Sequence, residues 1–81
     1  MDSNIEKKIN QKLELLKLRL KEYNNKMKEI QLALKWFEMN DISAYNTDED
    51  LYVKVNNDTT IHISNAEISY RADLYKEHYE N

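Results

Sequence analysis

The chain has 81 residues, a net charge of −3, and no cysteine, glycine or proline. The absence of cysteine excludes disulfide bonds, zinc thiolate sites and thiol catalysis, and the absence of glycine excludes a glycine-rich phosphate loop. This length predicts a single domain over residues 1–81 that is only marginally stable alone. No segment resembles a signal peptide or approaches the roughly 20 apolar residues of a membrane span, so we expect a soluble cytoplasmic protein with no membrane contact.

The first predicted element is a long helix over residues 4–39. Ser3 and Glu6 have the spacing of a capping box, and nothing after them breaks a helix before Asn40–Asp41. In a chain without glycine, these two residues are the ones that tolerate the left-handed conformation at a helix end. Asn24–Asn25 is the weakest point, but the apolar spacing keeps its phase across it, so we expect one continuous helix.

An apolar stripe with 4-3-4-3 spacing runs along this helix. Its nine residues are Ile9, Leu13, Leu16, Leu20, Tyr23, Met27, Ile30, Leu34 and Phe37. Such a heptad pattern is typical of helices that pair with other helices. The helix would be roughly 54 Å long, whereas a compact domain of this length is about 30 Å across. We therefore expect the first six residues of the stripe to form an oligomer interface, most simply in a homodimer.

Basic residues flank the stripe. In heptad terms, positions g hold Lys12, Arg19 and Lys26, and positions e hold Asn10, Lys17 and Asn24. A parallel pair of helices would bring Lys12 of one copy to Lys17 of the other, with no oppositely charged pair along most of the stripe. An antiparallel pair, a higher oligomer or an acidic partner therefore fits these charges better.

The second predicted element is a β-hairpin over residues 51–63. Apolar residues alternate with polar ones on both sides of a turn made of Asn, Asp and Thr. Burial of one face predicts Val55 opposite Ile61 and Val53 opposite Ile63. Because a two-stranded hairpin is not stable alone, we expect this face to pack on the C-terminal part of the long helix.

Two further segments complete the predicted fold. An acidic loop over residues 40–50, in which a short strand can form, precedes the hairpin. A helix over residues 65–80 follows it, since Ser64 and Glu67 again have the spacing of a capping box. The expected fold class is α+β, mostly α, with a long heptad-patterned helix, a β-hairpin and a short C-terminal helix.

The two halves of the chain differ in charge. Residues 1–40 have nine Lys/Arg and six Asp/Glu, which is +3, and residues 41–81 have three and nine, which is −6. This charge asymmetry suits either two surfaces that bind each other or two different partners. The tyrosines of the acidic half either complete a small core or anchor an interface. We predict a protein-docking surface formed by Asp48, Glu49, Asp50, Tyr52, Tyr70, Tyr75 and Tyr79.

No arrangement of residues in the sequence indicates an enzyme, a cofactor or a metal site. His62 falls on the outward face of the hairpin, across from Lys54, without a second ligand at a metal-binding spacing. The acidic run from Asp48 to Asp50 lacks the alternating ligands and the glycine of a calcium loop. A solvated histidine and a solvated acidic turn are the simpler interpretations.

These features together predict a non-enzymatic, oligomeric protein-binding module that acts as an inhibitor or adaptor. In size and composition the chain resembles the small proteins of phages and mobile elements, many of which inhibit a host enzyme. That resemblance implies a host protein as partner, such as a nucleic-acid enzyme. Two alternatives stay open: a small nucleic-acid-associated regulator that uses the basic long helix, and a purely structural coiled-coil component. Glutamates interleaved with the lysines weigh against the first of these.

Overall fold

The computed structural model describes residues 3–80 and, within that range, contains two helices and one antiparallel sheet of three strands. The elements are α1 (Ser3–Met39), β1 (Ala44–Thr47), β2 (Asp50–Asn56), β3 (Thr59–Ile63) and α2 (Asn65–Tyr79). The predicted fold class is therefore confirmed. The helix α1 is continuous through Asn24–Asn25, and it already includes Ser3, which was expected to cap it; the residue before Ser3 lies outside the described range.

The helix α1 ends in a Schellman motif that needs no glycine. The N–H of Ile42 donates to the carbonyl of Phe37 at 2.9 Å, and the N–H of Asp41 donates to the carbonyl of Glu38 at 3.1 Å. Asp41 adopts the left-handed conformation with φ of 59°, as predicted. Ile42 also packs against the core, so the helix end directs the chain back along α1.

The strand β1 is the main departure from the predicted fold, because it lies in the segment expected to be a loop. It pairs antiparallel with β2, with Ala44 opposite Val53 and Thr47 opposite Asp50. Its Asn residue and its neighbouring Asp and Glu are poor strand formers, so the residue pattern only weakly indicates a strand. The strand forms because the edge of β2 supplies partners for its backbone N–H and C=O groups.

The register of the β2–β3 hairpin differs from the predicted one by two residues. The observed pairs are Val53 with Ile61 and Leu51 with Ile63. The turn spans only residues 57–58, and a bulge at Val55 adds one residue to β2. The alternation of apolar and polar residues determines which residues share a face of the sheet. Because a shift by two residues keeps every side chain on the same face, alternation does not distinguish the observed register from the predicted one.

The shifted register moves the core toward the open end of the hairpin. Leu51 is completely buried, whereas Val55 and Ile61, both expected to lie on the buried face, are 55% and 49% exposed. His62 lies opposite Tyr52 instead of Lys54. The turn end of the hairpin therefore extends past the core.

The core forms where the C-terminal part of α1 meets the sheet and α2, as expected. Its buried residues are Ile30, Ala33, Phe37, Leu51, Ile68 and Ala72. Partly buried residues pack around them: Met27, Leu34, Trp36, Ile42, Ala44, Val53 and Ile63. The last four residues of the apolar stripe, from Met27 to Phe37, thus serve the fold of their own chain.

The helix α2 begins at a side-chain cap and lies along α1. The N–H of Glu67 donates to Oγ of Ser64 at 3.2 Å, which confirms the predicted cap. Farther along, Oγ of Ser69 donates to Oε2 of Glu29 at 2.8 Å. Six residues farther along each helix, Tyr75 of α2 lies against Lys35 of α1. Because the contacts advance together along both helices, α1 and α2 run in the same direction.

The N-terminal part of α1 extends away from the core. Every residue from 3 to 25 is exposed. The described chain measures 61 × 35 × 15 Å, and its radius of gyration is 18.0 Å, against about 12 Å for a compact domain of this length. We call residues 3–25 the overhang and residues 26–80 the head.

Candidate interaction surfaces

The overhang presents four residues of the apolar stripe to solvent. Ile9, Leu13, Leu16 and Leu20 are between 49% and 60% exposed. Covering the exposed half of each side chain would contribute about 1 kcal/mol, so covering all four amounts to a large part of the free energy of unfolding of a small domain. This surface therefore gains strongly from association.

The last two residues of the predicted oligomer interface contact the head of their own chain. The hydroxyl of Tyr23 donates to Oδ1 of Asp48 at 3.1 Å. Met27 packs against the buried core, and the next residues of the stripe, Ile30 and Phe37, are part of that core. From Tyr23 onward, the head therefore occupies the side of α1 on which the stripe runs.

The contact with Asp48 predicts a distinct titration of Tyr23. The hydrogen bond to the carboxylate, followed by the charge of that carboxylate, raises the pKa of Tyr23 above its usual 10.0. The bond therefore stabilises the fold at any pH below the pKa that Tyr23 has in the unfolded chain. This contribution is lost as the pH rises through the higher pKa that Tyr23 has in the folded chain. In a tyrosine absorbance titration, Asp48→Asn should shift the ionisation of one of the six tyrosines to lower pH. An unchanged titration curve would contradict the contact.

The predicted acidic run is divided between two contacts. Asp48 lies in the turn between β1 and β2 with φ of 50° and faces α1, whereas Asp50 begins β2 and its Oδ1 lies 3.0 Å from Nε2 of His62. Glu49, between them, is half-buried. Among the described residues, no three carboxylate or imidazole side chains come together as metal ligands.

A row of aromatic rings crosses the outward face of the sheet. The ring of Tyr45 stacks on Tyr52 with centroids 5.4 Å apart, and His62 follows at 5.3 Å from Tyr52. The row takes one residue from each strand because these positions are in register. Only Tyr52 was among the predicted docking residues; Tyr45 and His62 were left out of that set because the sequence indicates β1 only weakly and predicts a different register.

The tyrosines of α2 lie apart from that row. The ring of Tyr75 faces Nζ of Lys35 at 5.8 Å and contacts the ring of Tyr79 at 5.1 Å. Tyr70 is exposed and lies beside the guanidinium of Arg71 at 5.2 Å. Tyr75 therefore helps to join the helices, while Tyr70 and Tyr79 face solvent.

The predicted docking residues do not form one continuous patch. The acidic turn contacts α1 at Tyr23 and Tyr75 contacts it at Lys35, positions roughly 18 Å apart along the helix axis. Because α2 runs in the same direction as α1, Tyr79 lies still farther from the turn. The acidic turn, the sheet face and α2 are three separate surfaces of one acidic head.

The overhang and the head carry opposite net charges. The overhang has six Lys/Arg and three Glu, which is +3, and the head has six Lys/Arg and eleven Asp/Glu, which is −5. The ion pair between Lys17 and Glu14 on the overhang, at 3.6 Å, is well exposed, so it contributes little to stability. The charge difference therefore acts mainly on what approaches each end of the molecule.

No helix in the described part of the chain is both long and apolar enough to cross a membrane. The interaction surfaces that the structure does present are the apolar stripe of the overhang and the acidic head. Comparison with protein-family models, with curated proteins and with solved structures gave no match.

Proposed function

We propose that this protein is a non-enzymatic, oligomeric protein-binding module that acts as an inhibitor or adaptor on a host protein. The exposed apolar stripe of the overhang is the observation that carries this proposal. The head has its own core and does not use this part of the stripe, so the overhang is available to hold copies of the chain together. A pair of copies is the simplest closed assembly.

Sedimentation of the full chain over a range of concentrations tests the assembly. We expect a species of twice the 9.8 kDa chain mass at micromolar concentration, which dissociates on dilution. A monomer at every concentration up to the millimolar range would overturn the proposal.

The acidic head is the surface proposed for the host protein. Its carboxylates and exposed tyrosines favour a basic protein surface, such as the groove by which an enzyme holds nucleic acid. Asp73 and Glu77 are exposed on α2, close in sequence to the exposed Tyr70. They are suitable positions for changing the charge of the head without disturbing its core.

Charge reversal tests this docking. We expect a host protein that is captured by the native chain, and then purified, to bind it directly with an affinity that falls as salt is added. The double variant Asp73→Lys, Glu77→Lys should lose most of this binding. The matched variant Glu14→Lys, Glu22→Lys changes the charge of the overhang by the same amount and should keep it. Equal binding by both variants would mean that the acidic residues of α2 are not the docking surface.

The basic overhang favours one second candidate, a nucleic-acid-associated regulator. All of its lysines and its arginine are exposed, and phosphate contacts need only such cations. Fluorescence anisotropy with a labelled DNA or RNA oligonucleotide distinguishes the candidates. Binding that weakens steeply with salt would support the regulator, and no binding at low salt would remove it.

A further inference from the structure

We infer that two copies of this chain pair through their overhangs as an antiparallel, two-fold symmetric dimer. In this arrangement Ile9 lies opposite Leu20 of the second copy, and Leu13 lies opposite Leu16 of the second copy. The inference rests on the self-association proposed above and adds the direction and the register of the pair.

The head of each chain stands where a parallel partner helix would lie. A parallel partner follows the apolar stripe along its whole length, but beyond the overhang the stripe passes under the sheet and α2. Ile30 and Phe37, which continue it, are buried there, and the bond from Tyr23 to Asp48 marks the near edge of the head. A parallel pair would therefore have to separate at about residue 22, with two acidic heads facing each other.

The spacing of the exposed stripe suits an antiparallel partner. The steps between its four residues are 4, 3 and 4, which read the same in both directions. A two-fold axis between Glu14 and Leu15 therefore brings the stripe against itself in four apolar layers. Residues 5–8 of one copy then come level with residues 21–24 of the other, so each overhang ends where the other head begins.

The charges at the ends of the overhang support this register. Lys7 and Lys8 lie near the start of α1, where the helix dipole is also positive. In the antiparallel pair they come level with the part of the second copy where Tyr23 holds the acidic turn of Asp48 and Glu49. With Glu6 included, residues 3–8 carry a net charge of +1, so a weakly positive helix start approaches the acidic head of the second copy, whereas a parallel pair brings the two acidic heads together.

The flanking positions provide a first test of direction. In an antiparallel pair, positions g lie beside positions g, so Lys12 lies beside Arg19 of the second copy, twice by symmetry, and these like charges repel each other just as Lys12 and Lys17 would in a parallel pair. Arg19→Glu should then tighten the dimer about tenfold, while Lys17→Glu, which would lie beside Asn10, should not. In a parallel pair the result is reversed, because Lys12 then faces Lys17. Tightening by Lys17→Glu alone would overturn the inference.

Cysteine cross-linking is the decisive test, since the native chain has no cysteine. Ile9→Cys and Leu20→Cys are prepared separately, mixed as folded dimers, allowed to exchange and oxidised mildly. We expect disulfides between the two variants and few within either one, because identical positions lie roughly 16 Å apart along the axis in the antiparallel pair. Each variant alone should remain largely unlinked.

The outcomes separate this inference from the proposed function. Variants that sediment as dimers but link only to themselves would overturn the antiparallel direction and leave self-association standing. Dimers that form no disulfide in either combination would overturn the register. A native chain that is monomeric throughout would overturn both the inference and the oligomeric function.

Discussion

Leu16→Asp is expected to convert the dimer into monomers while the head stays folded. Leu16 is 58% exposed in a single copy and belongs to no core, so the aspartate is tolerated in the monomer. In the dimer it lies against Leu13 of the second copy at two symmetric sites, and a carboxylate held against apolar side chains costs at least about 2 kcal/mol at each. The dissociation constant should rise roughly a thousandfold, as sedimentation would measure.

Leu18→Asp is the matched control for this prediction. Leu18 is similarly exposed, at 52%, but two residues along a helix correspond to about 200° of rotation, so it faces away from the apolar stripe. We expect this variant to sediment as the native chain does. Equal dissociation in both variants would mean that the stripe is not the interface. Circular dichroism spectra should show the same helix content in both variants at low concentration.

Leu51→Ala should have the largest effect on the stability of the head. Leu51 is completely buried and belongs to the core cluster. Removing a buried leucine side chain typically lowers the free energy of unfolding by about 2–5 kcal/mol, which is a large fraction of the stability of a small domain. Urea unfolding followed by circular dichroism, at a fixed protein concentration, should show a clearly lower midpoint.

Val55→Ala tests the observed register against the one predicted from the sequence. Val55 is at the bulge and mostly exposed, so we expect a change below about 1 kcal/mol. In the predicted register, Val55 would face Ile61 in the core and its truncation would be costly, while Leu51 would lie at the margin. A larger loss from Val55→Ala than from Leu51→Ala would therefore contradict the structure.

An antiparallel dimer would place the two heads at opposite ends of a rod. Each acidic head would then be accessible to its own basic partner, and the module would be bivalent. Leu16→Asp would remove that bivalency without altering the head. Comparing its binding with that of the native chain would separate the affinity of a single head from the effect of pairing.

Local structure could be predicted from the sequence because it depends on residues close together in the chain. The unbroken apolar phase predicted a continuous helix through Asn24–Asn25, and the structure confirms it. Asp41 ends that helix in the left-handed conformation, and Ser64 caps the next one. In each case the determining contacts span only a few residues.

Contacts between distant segments were decided only by the tertiary structure. The strand β1 has a weak pattern of its own and depends on the edge of β2. The hairpin register was not determined by alternation, which repeats every two residues. The bond from Tyr23 to Asp48 joins positions far apart in the chain, and it ties Tyr23 to the head although its side chain stays 39% exposed. The sequence by itself determined an apolar stripe too long for its domain, and the tertiary structure decided which part the head covers, because covering depends on where the sheet and α2 pack.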